Sequence, residues 1–159
     1  MKKNDVKTNV MRILDQAKIS YTAHFYADTD AVSGVEVAMV LGQPQERVFK
    51  TLVTVAKSGT HYVFVIPCHK ELNLKKAAAT VGEKAIEMIK SKELLPLTGY
   101  IHGGCSPVGM KKPFCTVVHE TAQTCPTFCV SAGKIGYQVE IAPEDLRRIV
   151  NFTYADIAE

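Results

Sequence analysis

The sequence predicts an α+β fold that is built on a mixed, curved β-sheet. Two observations support this fold class. Segments with helical and with strand character alternate through the first half of the chain, and several β-prone segments then follow one another before a final helix. The chain has 159 residues and no internal repeat, which fits one domain over residues 1–159 with a single core.

The first half of the chain contains two predicted helices, a short strand and a hairpin. Apolar residues at helical spacing predict an amphipathic helix over about residues 4–18, and YTAHFY predicts a short strand. Ser33 can cap a second helix that runs to Leu41, and Gly42 can end it. The segments VFKTLVTVA and HYVFVIP are rich in β-branched and aromatic residues and are separated by the turn KSGT, so they predict a hairpin.

The second half of the chain begins with two segments that favour helix by propensity. NLKKAAATVG is predicted to end at Gly82, and EKAIEMIKSKELLP is predicted to be helical until it closes near Pro96. The segments GYIHGG, CTVVHE, TFCVSAG and YQVEIA are β-prone and are predicted strands. PEDLRRIV predicts a last helix with Pro143 in its first turn.

Composition excludes several classes of protein. Hydrophobic residues make up 47% and charged residues 22% of the chain, which is typical of a folded globule. No apolar run approaches the roughly 20 residues of a membrane span, and the polar start does not match a signal peptide, so we expect a cytoplasmic protein with no membrane contact. The net charge of +3 is too small for a protein that coats nucleic acid, although a local basic patch can still meet phosphate.

The five cysteines form an odd set without a CxxC pair. This spacing favours neither a zinc ribbon nor a complete disulfide framework. The sequence shows no cluster with metal-ligand spacing, so we expect no metal and no cofactor.

Lys50 lies within a strand that otherwise suits burial. Val48, Lys50 and Leu52 share one face of that strand because side chains alternate. If this face is internal, the ammonium group needs an anion, carbonyl groups or a solvated cleft. The alternative is an edge lysine whose stem covers apolar surface while its charge reaches water.

The segment GGCSPVGMKK, residues 103–112, has three interpretations: a thiol catalyst, an anion-binding loop, or a tight turn before a basic stretch. Gly103 permits positive φ or close approach by a ligand, but the segment matches no nucleotide-binding motif. Cys105 is a nucleophile only if a histidine activates it, and is otherwise a small residue in a packed loop. A second small-residue loop, VSAGKIG, places Ser131 where it can reach the same cleft.

Three separated segments, VFKTLV, GYIHGGCSPVGMKK and VSAGKIGYQVEIAPEDL, occur in this order over nearly the whole chain. Together they resemble the YbaK/EbsC family of free-standing aminoacyl-tRNA deacylases, which are relatives of the editing domain inserted in bacterial prolyl-tRNA synthetases. The resemblance is greatest to the branch that acts on Cys-tRNA(Pro) and Cys-tRNA(Cys). It implies a mixed, barrel-like sheet surrounded by helices, in agreement with the order of predicted elements.

The resemblance also implies the site residues. Catalytic roles fall on Lys50, Gly103 and Ser131, and substrate-binding positions fall on Tyr26, Thr51, Gly104 and Gln138. The sequence departs from the family pattern at two places. Relatives often carry an aspartate at the position of Gln138, and the segment DTDAVSG is shorter, with Ser33 near a position that is aromatic in some relatives.

The activity that the resemblance implies is trans-editing: removal of cysteine from mischarged Cys-tRNA(Pro), and also from Cys-tRNA(Cys). The cysteinyl group brings its own thiol, which can attack its own ester and leave as a thiolactone, so no protein cysteine is required. The expected partners are the 3′ end of tRNA(Pro) and, transiently, prolyl-tRNA synthetase. Two alternatives stay open: a deacylase of Ala-tRNA(Pro) or another mischarged tRNA that uses water, and a non-catalytic tRNA-binding module.

Overall fold

The computed structural model describes residues 6–159, which form five α-helices and eight β-strands. The helices are α1 (Asn9–Gln16), α2 (Gly34–Leu41), α3 (Leu74–Val81), α4 (Ser91–Thr98) and α5 (Pro143–Leu146). The strands are β1 (Thr22–Phe25), β2 (Phe49–Ala56), β3 (His61–Pro67), β4 (Ile86–Met88), β5 (Cys115–His119), β6 (Phe128–Ser131), β7 (Tyr137–Ile141) and β8 (Phe152–Ala155). Short 3-10 helices span Gln45–Arg47 and Glu120–Thr124.

The strands form two sheets, which confirms the α+β class and divides the predicted curved sheet in two. A five-stranded sheet has the order β4-β2-β3-β5-β8, with antiparallel pairs on one side and parallel pairs on the other. A three-stranded antiparallel sheet has the order β1-β7-β6. An isolated bridge between Val48 and Cys129 joins the start of β2 to β6. The wall that carries Lys50 is thereby held against the wall that carries Ser131.

The main core lies between the two sheets and α1. Val63 and Val65 of β3 face this core, whereas Phe64 and Ile66, which alternate with them, belong to a second core cluster under α3. The five-stranded sheet is therefore covered on both faces, as the period-two burial of a central strand requires. Among residues 6–159, no helix combines the length and apolar character that a membrane crossing needs.

Several predicted elements are confirmed, and their end signals work as expected. Ser33 caps α2 through a reciprocal pair of hydrogen bonds with Glu36, and Gly42 ends the helix in the left-handed conformation. Gly82 ends α3 in the same way. The hairpin of β2 and β3 is also present.

The first predicted helix is too long. α1 begins at Asn9, because the Thr8 hydroxyl accepts a hydrogen bond from the Met11 N–H and caps the helix. It ends at Gln16, and Lys18 lies just beyond it at φ 57°. Residues 4 and 5 of the predicted helix lie outside the described residues.

The single helix predicted for residues 83–96 is wrong. Its first part forms β4, which pairs with the edge of β2, and only Ser91–Thr98 is helical. Pro96 lies inside α4 and does not close it, since the helix ends at Gly99. Pairing with the edge of β2 outweighs the helical propensity of this segment.

The predicted strand GYIHGG is also wrong, because residues 101–104 form a turn closed by a hydrogen bond from the Gly104 N–H to the Ile101 carbonyl. The last helix, α5, stops at Leu146 and does not run to residue 150. Strand β8, which the sequence analysis did not predict, pairs in parallel with β5.

Candidate functional site

One cavity of about 320 Å³ collects six of the seven predicted site residues. Its walls come from the start of α2, from β2, from the turn after α4, and from β6 and β7. The predicted residues that line it are Tyr26, Lys50, Thr51, Gly103, Ser131 and Gln138. Gly104 is not in the lining; it is buried behind the turn, where an added Cβ would lie 3.3 Å from the Ile135 nitrogen. The volume is in the range of about 300–1,000 Å³ that small-ligand pockets occupy.

Lys50 lies in the wall of this cavity as a half-buried cation. It is the second residue of β2 and stands opposite Ile66 of β3. Among residues 6–159, its ammonium group is in no ion pair and no hydrogen bond. Burial raises the pKa of the nearby Cys68 thiol, and the charge of Lys50 acts on that pKa in the opposite direction. The structure therefore places Lys50 in a cleft and leaves its charge available to an anionic ligand.

Thr51 follows Lys50 in the cavity wall. Its Oγ1 atom is buried and has no hydrogen-bond partner among the described residues. A buried hydroxyl without a partner costs free energy, about 1–3 kcal/mol in protein mutational data. A ligand group that reaches this hydroxyl would remove that cost.

Gly103 forms the rim of the cavity at the turn after α4. Its φ of +87° is in the region that favours glycine. A Cβ here would lie 2.7 Å from Val32 Cγ1, so the absence of a side chain also permits close packing. Within residues 6–159, the Gly103 N–H donates to no hydrogen-bond partner. It is a backbone donor without a described partner in a residue that lines the cavity.

Ser131 is the last residue of β6, paired with Gln138 of β7. Its Oγ accepts a hydrogen bond from the Gly133 N–H at 3.1 Å, which fixes the position of the oxygen. The hydroxyl hydrogen is left to donate. The loop thus presents Ser131 as an oriented donor to the cavity.

Two further predicted residues shape the cavity from deeper positions. Burial raises the pKa of the Tyr26 phenol, so this group stays neutral and can donate. The Gln138 side chain is buried and exchanges two hydrogen bonds with Gln43, at 2.8 and 3.1 Å. These bonds tie the segment after α2 to β7 and hold the α2 wall in place.

The sequence analysis missed part of the lining. Cys68, Leu94 and His102 all line the cavity. Gly34 sets the distance between α2 and β3, since a Cβ there would lie 2.5 Å from the Cβ of Cys68. His102 has a sequence signal, because it precedes Gly103; Cys68 and Leu94 carry none.

Cys105 lines the cavity but is a poor nucleophile. Burial raises the pKa of its thiol to about 12, despite a hydrogen bond with Thr98 that acts in the opposite direction. Little thiolate therefore exists at neutral pH. The geometry favours the packed-loop interpretation of Cys105.

A second polar cluster lies on the three-stranded sheet, outside this cavity. His24, Cys129 and Glu140 bring one ligand atom each within 4.8 Å of one another. The Glu140 carboxylate is already bound by Thr127, His24 and Arg47. Burial raises the pKa of the Cys129 thiol to about 12. The Arg47 guanidinium already pairs with the Glu140 carboxylate, and the cluster is satisfied as a hydrogen-bonded network.

The fold has counterparts among solved structures and longer proteins. A structure provisionally assigned as a trans-editing enzyme for prolyl tRNA synthetase superposes with a TM-score of 0.82, covering 98% of this chain and 99% of that one at 24% identity. A proline–tRNA ligase of Pelobacter propionicus is 33% identical over 86 residues, which are 54% of this chain and 15% of the ligase. The chain thus has the fold of this solved structure, and part of its sequence resembles a short stretch of a much longer ligase.

Residues 28–149 match the aminoacyl-tRNA editing domain family, and this chain belongs to that family. A protein of Enterococcus faecalis, provisionally named Cys-tRNA(Pro)/Cys-tRNA(Cys) deacylase EbsC, is 46% identical over 157 residues. The match covers 98% of this chain and 96% of that protein. The family resemblance seen in the three sequence segments is confirmed.

Proposed function

We propose that this protein is a trans-editing deacylase that removes cysteine from mischarged Cys-tRNA(Pro), with Cys-tRNA(Cys) as a second substrate. One observation carries the proposal: Lys50, a cation without a partner among the described residues, shares a cavity with the free Gly103 N–H and the oriented Ser131 hydroxyl. The 46% identity to a protein named for this activity supports the choice of substrate.

The reaction needs little chemistry from the protein. The cysteinyl sulfur attacks its own ester carbonyl, a C–S bond forms, and the C–O bond to the terminal ribose breaks. The thiol proton goes to the ribose oxygen, so the products are a thiolactone and uncharged tRNA. The protein has to hold the cysteinyl ester in the geometry for attack. Such orientation can lower the activation barrier by about 7–11 kcal/mol in favourable cases.

Each catalytic candidate has a role that its geometry supports. Lys50 stabilises negative charge, either on the developing oxyanion or at the terminal nucleotide. The Gly103 N–H orients the aminoacyl group, and Ser131 donates a hydrogen bond from the end of β6. Tyr26 and Thr51 can offer further hydrogen bonds, whereas Gln138 acts by holding the α2 wall through Gln43.

Selection of cysteine then rests on the thiol as well as on pocket size. Contacts in a pocket distinguish small side chains by only about 1–3 kcal/mol per methylene. Seryl and alanyl groups are close to cysteinyl in bulk but lack the nucleophile. They would occupy the cavity without reacting.

The test is a deacylation panel of Cys-tRNA(Pro), Cys-tRNA(Cys), Ser-tRNA and Ala-tRNA(Pro), with product masses recorded at early times. We expect release of cysteine as thiolactone, loss of activity in Lys50→Ala, and retained activity in the matched cavity variant Cys105→Ala. The opposite pattern of the two variants would identify a protein thiol as nucleophile. Release of alanine would favour a water-using deacylase, and binding without turnover would favour a tRNA-binding module.

We also infer that a transient complex with prolyl-tRNA synthetase supplies tRNA identity. The net charge is only +3, which gives a weak general attraction to tRNA. In the Pelobacter ligase, the matching stretch is a small part of a much longer chain. Adding the synthetase should raise kcat/KM for Cys-tRNA(Pro) above that for Cys-tRNA(Cys); an equal effect on both, or none, would contradict the inference.

A further inference from the structure

Three exposed aliphatic side chains come from three segments that border the cavity: Val32 lines it, Ile135 reaches Gly103, and Ile101 lies two residues before Gly103 in the chain. Val32, Ile101 and Ile135 are 41%, 53% and 36% exposed, and we call them the apolar collar. A single exposed aliphatic residue needs no explanation, but a group that converges on one opening forms a patch.

Gly103 is the point around which the collar assembles. A Cβ on Gly103 would lie 2.7 Å from Val32 Cγ1 and 3.5 Å from Ile135 Cδ1, so both side chains reach this residue. Ile101 begins the turn that the Gly104 N–H closes. Val32 itself also lines the cavity, so the collar is continuous with the candidate site.

The charges near the collar are unevenly distributed. The segments 99–112 and 131–139 contain histidine and lysines but no acidic residue. Lys134 holds its ammonium group 5.3 Å from the ring centre of Tyr137, next to Ile135. The third segment, before α2, is acidic at Asp28 and Asp30. A ligand that is both apolar and anionic therefore has one favourable side of the mouth, formed by the turn after α4 and the loop after β6.

We propose that the apolar collar is a nucleobase subsite, which binds the unpaired 3′-terminal bases of the tRNA while the ester lies in the cavity. This inference rests on the proposed function. When the ester carbonyl is inside, the ribose that carries it lies at the mouth, and the base of the same nucleotide must emerge over the collar. Bases offer flat apolar faces to such side chains, and the phosphates that link them are anionic, which suits the side of the mouth that carries lysines and no acidic residue.

The proposal predicts that the collar recognises the nucleotide and not the amino acid. The experiment compares the double variant Ile101→Ser/Ile135→Ser with Leu74→Ser, a matched control on α3 that is 39% exposed and does not line the cavity. Kinetics are measured with cysteinyl-tRNA, 2′(3′)-O-cysteinyl adenosine and cysteine methyl ester. Unchanged thermal unfolding of both variants establishes that they fold.

The double variant should lower kcat/KM about tenfold on both nucleotide esters, mainly through KM, and leave the methyl ester unaffected. Leu74→Ser should change none of the three. An equal loss on the methyl ester would overturn the proposal, because the collar would then shape the cavity. Full activity of the double variant on the nucleotide esters would overturn it as well.

Binding of an uncharged CCA trinucleotide gives a readout that does not depend on turnover. The double variant should bind it about tenfold more weakly than the wild type or Leu74→Ser. If the wild type cleaves no ester, the proposed function fails, yet this binding difference still decides whether the collar holds bases. Equal binding by all three proteins would refute the subsite.

Discussion

Arg47 and Lys50 lie three residues apart and are both half-buried cations, but their surroundings differ completely. Arg47 donates to the Thr127 carbonyl and hydroxyl and forms an ion pair with Glu140. Lys50 enters the cavity and has no such partner among the described residues. The fold accounts for the charge of Arg47, whereas the charge of Lys50 is left available to a ligand.

The two residues also have different roles in the fold. Arg47 ties the segment before β2 to β6 and β7, so it acts with the Val48–Cys129 bridge to join the two sheets. Lys50 lies three residues further along the chain, in β2, and lines the cavity beside this junction. The contacts of Arg47 therefore help to fix the position of the strand that carries Lys50.

Replacing each of the two residues with methionine is the test of this comparison from which we expect the largest effect. Lys50→Met should reduce deacylation of Cys-tRNA(Pro) by about 10²–10³, since it removes the charge that we propose acts at the reacting centre. The free energy of unfolding should stay the same or rise slightly, because an unpaired half-buried charge is removed. Single-turnover kinetics and urea unfolding provide the two measurements.

Arg47→Met is the matched control and should behave in the opposite way. It should lower the free energy of unfolding by about 1 kcal/mol and leave kcat/KM within a few-fold of the wild type. If Arg47→Met removed activity as fully as Lys50→Met, the distinction between a structural and a catalytic cation would be false.

Gly103→Ala tests the glycine that shares the cavity with Lys50. The substitution introduces a Cβ at φ +87° and 2.7 Å from Val32 Cγ1, so we expect about 1–2 kcal/mol of destabilisation and at least about a tenfold loss of kcat. Adding Val32→Ala relieves the contact but not the backbone strain. Partial recovery of stability in the double variant, measured by urea unfolding, is the expected result; full recovery would show that φ is unimportant here.

Local signals predicted much of this structure. The Ser33 cap, the glycine stops and the β2–β3 hairpin depend on neighbouring residues and were correct. The segment 83–96 failed because its state depends on β2, about 30 residues earlier, which offers an edge for β4. Strand β8 has the same dependence on its distant partner β5.

The candidate site follows the same rule. The sequence located Lys50, Gly103 and Ser131 through their motifs, and the structure brings them to one cavity. Whether Lys50 has a partner could not be predicted, because the acids that might have paired with it come from distant segments. The same holds for Arg47, whose partners Thr127 and Glu140 lie on β6 and β7 or next to them.

The pH dependence of stability tests the Arg47 side of the comparison. The hydrogen bond from Thr127, followed by those from His24 and the nearby charges, holds the pKa of the Glu140 carboxyl below its ordinary value of 4.5. A carboxyl whose pKa is lower in the folded state stabilises the fold above the unfolded pKa. This contribution is lost as the pH falls through the folded pKa.

Glu140→Gln isolates this contribution from that of the other carboxylates. The variant should be less stable than the wild type at pH 7, by no more than about 1 kcal/mol, and the gap should narrow as the pH falls below 4.5. Urea unfolding from pH 7 to pH 3 measures it. A gap that stays constant over this range would show that the Glu140 charge does not hold the network.

The smallest expected effect on activity concerns two buried thiols, one near Lys50 and one near Arg47. Cys105 lines the cavity and Cys129 lies beside Glu140, and burial raises the pKa of both to about 12. Each alanine variant should cost about 1 kcal/mol of unfolding free energy for the lost packing. Each should keep deacylation within about twofold of the wild type, because neither thiolate is populated at neutral pH. Loss of activity in Cys105→Ala alone would mean that the cavity lowers this pKa when substrate is bound. The thiol of the cysteinyl group would then not be the only thiol that takes part in the reaction.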